Sequence, residues 1–133
     1  MKQKHLVTGA SGFIGANLVR RLLSENQEVH ILVRKSSNLW RIKGILSKLK
    51  LHSLDIENQI SVKNTIKKIH PDYIYHLAAY GGYPFQQDVS KMIKANIIFS
   101  SLLLETAKET YLKAFIITGS SSEYGYKNKP MKE

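Results

Sequence analysis

The sequence predicts an α/β fold, a doubly wound parallel sheet of five strands with helices on both faces. Two observations predict it. Short apolar runs alternate with stretches of helical periodicity along the whole chain. The apolar runs are also near-continuous, as strands covered on both faces must be. Such alternation implies parallel strands joined by right-handed crossovers.

Each element follows from local pattern. Residues 5–8 form a short strand that ends at Gly9, and residues 13–25 carry Ile14, Leu18 and Leu22 on one helical face. Residues 29–33 are β-branched and apolar, a second strand. Leu39, Ile42, Leu46 and Leu49 share a helical face, and residues 49–54 make a third strand ending at Asp55. Val62, Ile66 and Ile69 lie on a helix that must stop before Pro71. Residues 73–77 form the fourth strand, and the Tyr80-Gly81-Gly82-Tyr83-Pro84 loop follows it on the edge where such sheets bind ligands. Asp88 can cap a long helix reaching about Thr110, and residues 114–118 form the fifth strand before Gly-Ser-Ser-Ser.

The chain has 133 residues, a formal charge of +10 and no cysteine. That length fits one domain, residues 1–133. Without cysteine there is no disulfide framework, thiolate metal site or cysteine nucleophile. The longest uncharged stretches have 15 residues and contain glycine or proline, too short for a membrane span of about 20. No membrane partner and a cytoplasmic location are therefore expected. The basic residues are dispersed, and their tightest clusters are pairs such as Arg20-Arg21 and Lys67-Lys68. A solvated surface is favoured over a nucleic-acid interface. The five histidines lie on different elements without metal-ligand spacing, so no metal site is expected.

The sharpest motif is Thr8-Gly9-Ala10-Ser11-Gly12-Phe13-Ile14-Gly15, between the first strand and the first helix. Gly9 permits a tight turn, Gly12 lets a diphosphate approach the backbone, and Gly15 lets the helix pack closely on the sheet. Amides at the helix start, around Ser11, Gly12, Phe13 and Ile14, together with the helix dipole, suit an anion. The plain alternative is a strand-to-helix turn with no ligand. Position at the head of a βαβ unit favours phosphate binding. At the tip of the second strand an NAD site usually carries an acidic residue. Here the tip reads Arg34-Lys35-Ser36-Ser37. Arg34 and Lys35 can pair with a 2′-phosphate, and Ser36 and Ser37 can donate to it. NADP is thus favoured over NAD, with an exposed basic turn as the alternative.

These residues resemble the N-terminal part of an extended short-chain dehydrogenase/reductase of the nucleotide-sugar epimerase/dehydratase group. The Thr8–Gly15 motif matches that family's glycine turn. Asp55-Ile56 matches its acidic position near the adenine, and His76-Leu77-Ala78-Ala79 matches the segment lining the cofactor. Asp88 and Asn96 match the cap and the Asn of the next helix, and Ser120 to Gly125 matches the serine-rich segment ending in Tyr-Gly. The resemblance implies a Rossmann-type fold and hydride transfer at a sugar carbon of a nucleotide sugar. It assigns Asp55, Ile56, Leu77, Ala78, Ala79 and Asn96 to the cofactor and makes Ser120 the catalytic hydroxyl. Phe99 departs from the small residue often found in the Asn helix.

In that family a Tyr and a Lys four residues later act beside the nicotinamide, with Ser or Thr orienting the same oxygen. None of the seven tyrosines here has Lys four residues on. The family's pair lies downstream of the serine segment, so the resemblance implies a C-terminally truncated sheet with the substrate domain absent. A fragment of this kind is expected to be inactive alone and to self-associate through bare apolar surface, a homodimer being one form. The alternative reading is a non-catalytic NADP-binding module or redox sensor.

Overall fold

The computed structural model describes residues 2–126 and 129. A five-stranded parallel sheet runs in the order β3-β2-β1-β4-β5. Its strands are β1 (Lys4–Thr8), β2 (Glu28–Val33), β3 (Lys50–Ser53), β4 (Tyr73–His76) and β5 (Ala114–Ile117). The register pairs Val7 with Ile31 on one side and with Tyr75 on the other. All strands are parallel, so their C-terminal ends, at Thr8, Val33, Ser53, His76 and Ile117, share one edge. The parallel direction is that expected from the alternation of elements, and the order is that of the Rossmann-type fold the resemblance implies.

Each face of the sheet buries its own apolar cluster. On one face Leu6, Leu32 and Ile74 pack with Val62, Ile66 and Ile69 of helix α2 (Gln59–Ile69). Phe99, Leu102 and Leu103 of helix α4 (Phe99–Ala107) complete that layer. On the other face Val7, Val29, Ile31 and Val33 meet Ala16, Val19 and Leu22 of helix α1 (Phe13–Ser24), with Ile42 beside them. Burying apolar surface on both faces, at roughly 25 cal/mol per Å², is what holds such a layer together. β5 forms an edge among the described residues, with Ile116 and Ile117 partly exposed.

Two helices differ from their sequence patterns. Trp40–Lys48 is a 3₁₀ helix rather than an α-helix. Leu39, Ile42, Ile45, Leu46 and Leu49 all pack against the core from this segment, and Gly44 weakens the α alternative. The long helix opens at α3 (Val89–Met92), where the Asp88 carboxylate accepts from the Lys91 amide at 3.0 Å. It then passes through a π-helical stretch, Ile93–Ile98, before α4. Trp40 is 63% exposed, with the Arg41 guanidinium 4.5 Å from its ring centre. Phe99, the departure from a small residue, is buried and meets His76 edge to face at 5.5 Å.

The sheet also buries polar groups. The Glu28 carboxylate accepts from Lys50 Nζ at 2.8 Å and from His30 Nε2 at 2.8 Å. These two bonds hold its carboxyl down at about 2.

Candidate functional site

The turn after β1 builds the floor of the site. Gly9 has φ of +72°, a conformation that glycine adopts without strain. Its carbonyl accepts from the Gly12 amide at 3.0 Å, closing the turn. A Cβ at Gly9 would come 2.7 Å from the Leu77 carbonyl carbon, so only glycine lets β1 and the segment after β4 approach this closely. A Cβ at Gly15 would overlap the Gly9 carbonyl oxygen and lie 2.8 Å from Ala10 Cα, which explains the close fit of α1 on the turn. Gly12 differs: a Cβ there would meet the Gly9 oxygen at 3.2 Å and nothing else within 4 Å. That one contact is tight, and the other sides of residue 12 face no protein atom.

Helix α1 begins without a side-chain cap and without an acidic residue in its first turn. The Ala16 amide makes the bond back to Gly12, at 3.0 Å, so the amides of Phe13, Ile14 and Gly15 precede it. Such a terminus carries partial positive charge and attracts an anion. This is the cradle that a diphosphate fits, and a side chain at residue 12 would fill it.

A cleft of about 590 Å³ opens along the C-terminal edge of the sheet. Of the residues expected at a cofactor, Gly9, Ser11, Gly12, Ile14, Arg34, Ile56, Leu77, Ala78 and Ala79 line it. Phe13, Gly15, Lys35, Ser36, Asp55 and Asn96 do not. Phe13 is 75% exposed at the helix start, and Gly15 is buried in the packing described above. At the β2 tip the Arg34 amide donates to Ser37 Oγ at 3.1 Å, and the Ser37 amide returns to the Arg34 carbonyl at 2.9 Å. That turn brings Arg34 and Ser37 to the cleft and leaves Lys35 and Ser36 exposed. The Asp55 carboxylate instead accepts from the Glu57 amide at 2.9 Å, shaping the turn that presents Ile56. No carboxylate lines the cleft among the described residues. Arg41, which the sequence did not single out, donates from Nη1 to the Ser11 carbonyl at 3.4 Å.

The opposite wall is the segment after β4. The Leu77 amide donates to the Thr8 carbonyl at 3.3 Å, and the Ala78 amide to Thr8 Oγ1 at 3.2 Å. Thr8 Oγ1 also lies 2.7 Å from His76 Nδ1. His76 is 2% exposed, and burial pushes its imidazole down to about 4. Asn96 does not line the cleft but clasps the backbone of Tyr80. Its Oδ1 accepts the Tyr80 amide at 2.9 Å, and its Nδ2 donates to the Tyr80 carbonyl at 2.7 Å. Gln86 Oε1 accepts from the amides of Gly81 and Tyr83, tying up the following loop. Tyr80, Tyr83, Gln86 and Phe99 all line the cleft. Their contacts span loops and helices, and no spacing in the sequence marks Gln86 or the Thr8 hydroxyl.

Ser120 follows β5 on the same edge of the sheet. Its amide donates to Glu123 Oε1 at 2.6 Å, and its carbonyl accepts the Glu123 amide at 3.1 Å, opening a short 3₁₀ turn, Ser121–Tyr124. It is not among the residues that line the cleft.

The sequence matches the NAD dependent epimerase/dehydratase family over residues 5–133. The chain belongs to that family. Among its relatives, a dTDP-D-glucose 4,6-dehydratase of Dictyostelium discoideum is 33% identical over 131 residues, covering 92% of this chain and 30% of its own length. A UDP-glucose 4-epimerase of Lactobacillus helveticus is 30% identical over 129 residues, covering 95% of this chain and 38% of its own length. The crystal structure of a Thermotoga maritima UDP-glucose 4-epimerase with UDP-glucose superposes with a TM-score of 0.82 at 27% identity, over 96% of this chain and 41% of that one. The chain thus spans between about a third and two fifths of the length of these family members. Among the described residues no helix is long and apolar enough to cross a membrane.

Proposed function

We propose that this chain is the dinucleotide-binding lobe of an NAD(P)-dependent epimerase, dehydratase or reductase acting on a nucleotide sugar. One observation carries the reading: the uncapped start of α1 lies on the cleft beside Gly12, and no carboxylate lines that cleft among the described residues. The amides of Phe13 and Ile14 at the start of α1 would hold the diphosphate, with Ser11 and Gly12 lining its approach. Leu54 and Ile56 offer an apolar slot for the adenine, and Leu77 to Ala79 form the wall along the rest of the cofactor. When bound, the nicotinamide supplies hydride transfer. Ser120, at the end of β5, is the hydroxyl proposed to orient the reacting sugar oxygen.

NADP is the proposed coenzyme within this NAD dependent family. Arg34 and Ser37 flank the β2 tip in the cleft, where a ribose-binding carboxylate is absent. A guanidinium there pairs with a 2′-phosphate by charge-assisted bonds. Calorimetry with both coenzymes tests this. NADP⁺ should bind more tightly than NAD⁺, and Arg34→Glu should reverse the order. Equal affinities for the two would remove the NADP assignment, and absence of binding to either would remove the dinucleotide reading.

A cytoplasmic homodimer completes the proposal. The long helix exposes Val89, Ile93, Ile97 and Leu104, an apolar stripe suited to a second copy. Analytical ultracentrifugation should find a dimer that Ile97→Glu converts to monomer. A monomeric wild type would contradict it.

A further inference from the structure

We propose that His76 is a positioning residue, whose Nε2-protonated imidazole ties β1, the cleft wall and the long helix together and so fixes the Ala78–Tyr80 backbone where a dinucleotide meets it. The inference rests on the dinucleotide reading above, but the hydrogen-bond geometry that carries it is independent of any ligand.

The direction of every bond in the network follows from proton counting. Ser100 Oγ donates to the Asn96 carbonyl at 2.7 Å. A hydroxyl has one proton to give. Ser100 Oγ must therefore accept in its 2.7 Å contact with His76 Nε2, which places the imidazole hydrogen on Nε2. A neutral imidazole then presents Nδ1 as an acceptor, and the Thr8 hydroxyl, 2.7 Å away, donates to it. The Thr8 oxygen in turn accepts the Ala78 amide at 3.2 Å. The other tautomer leaves Nε2 facing a hydroxyl whose proton is already committed to Asn96. An imidazolium leaves the Thr8 hydroxyl proton without its acceptor. The Nε2–H form satisfies each polar atom of this His76–Thr8–Ser100 network.

The network holds the cleft wall from both ends. Thr8 immediately precedes the glycine turn and receives the Ala78 amide. One turn of the long helix carries both Asn96, which clasps Tyr80, and Ser100, which meets His76. Asn96 sits within the π-helical stretch Ile93–Ile98, a deformation that commonly marks a functional segment. Ala78 and Ala79 have only methyl side chains, so their contribution to a ligand depends on where the backbone lies. A residue that fixes that backbone fixes the contact. Phe99 and Phe115 flank the imidazole with ring centres at 5.5 and 6.3 Å, closing it from the sides.

The test uses this full chain with whichever of NAD⁺ and NADP⁺ binds the wild type more tightly. Calorimetric affinity and Tm are measured for the wild type, Ser100→Ala, Ser100→Thr and His76→Asn. Ser100 is only partly buried, so Ser100→Ala retains the fold even where His76→Asn does not. Loss of one buried hydrogen bond predicts a Kd raised about tenfold in Ser100→Ala. Ser100→Thr should restore it, and the folded fraction should remain near that of the wild type. In the ¹⁵N spectrum of the unliganded chain, His76 should carry its proton on Nε2 and none on Nδ1. Ser100→Ala binding within about twofold of wild type would overturn the proposal and leave the dinucleotide reading intact. So would a proton on Nδ1, or a loss of affinity accounted for entirely by unfolding. Failure of the wild type to bind either coenzyme would overturn both.

Discussion

The two walls of the cleft are built by different means. The glycine-turn wall is local: Gly9, Gly12 and Gly15 act through backbone alone, within seven consecutive residues. The wall after β4 is non-local. His76 meets Thr8 across 68 positions of sequence and Ser100 across 24, and its side chains supply the bonds. A wall made from backbone tolerates change in its neighbours but not in its glycines. A wall made from a directional chain of donors and acceptors is sensitive at every link.

The largest expected effect strikes the local wall. Gly15→Val would drive a side chain into the Gly9 carbonyl and Ala10, backbone atoms that cannot swing aside. We expect a loss of more than ~3 kcal/mol in urea unfolding. Gly12→Ala should separate folding from binding, because a methyl there meets only the Gly9 oxygen at 3.2 Å. Its stability should fall far less than that of Gly15→Val, while dinucleotide affinity falls roughly a hundredfold.

Acid should attack the other wall. The folded value of His76 is depressed from 6.5 to about 4, so the unfolded chain takes up the proton first. The stability that the neutral ring contributes is complete above pH 6.5 and is lost as the pH falls toward 4, amounting to about 3 kcal/mol. Glu28 acts in the same direction at lower pH. Its depressed carboxyl contributes fully above 4.5 and is lost toward 2. Urea stability at pH 7 and pH 4 should therefore converge less in the wild type than in His76→Asn, which lacks the titrating ring. An equal pH dependence in the two proteins would break the contrast between the walls.

Thr8→Val keeps the shape but strands the Ala78 amide and His76 Nδ1. Leaving such groups unpaired should cost roughly 2 kcal/mol, read from the same urea curves. Arg34→Ala, on the rim between the walls, should leave stability unchanged and weaken NADP⁺ about tenfold with little effect on NAD⁺.

Legibility in the sequence divides along the same line. The strands, their parallel direction and the glycine turn follow from periodicity and spacing, because apolar runs and glycines act on residues close in the chain; the strand order came with the family resemblance. Ile56 and Leu77 to Ala79 came with the family resemblance, and the geometry brings them to the cleft. The bond between Asn96 and Tyr80, the Gln86 tie and the Ser100 link join side chains to distant backbone and leave no local pattern. The 3₁₀ winding of Trp40–Lys48 was hidden because Leu39, Ile42, Leu46 and Leu49 fit an α-helical face and do pack against the core, so their spacing does not distinguish the two windings. Lys35 and Ser36 share the basic stretch with Arg34, and only the Arg34–Ser37 turn decides which residues face inward.

Amide chemical-shift mapping of the ¹⁵N-labelled chain during titration with NADP⁺ and, separately, NAD⁺ tests the central claim most directly. The account predicts the largest shifts at Ser11 to Ile14, with a second group at Leu77 to Ala79, for the tighter-binding coenzyme. Saturable shifts elsewhere on the molecule, with the glycine turn unmoved, would contradict it.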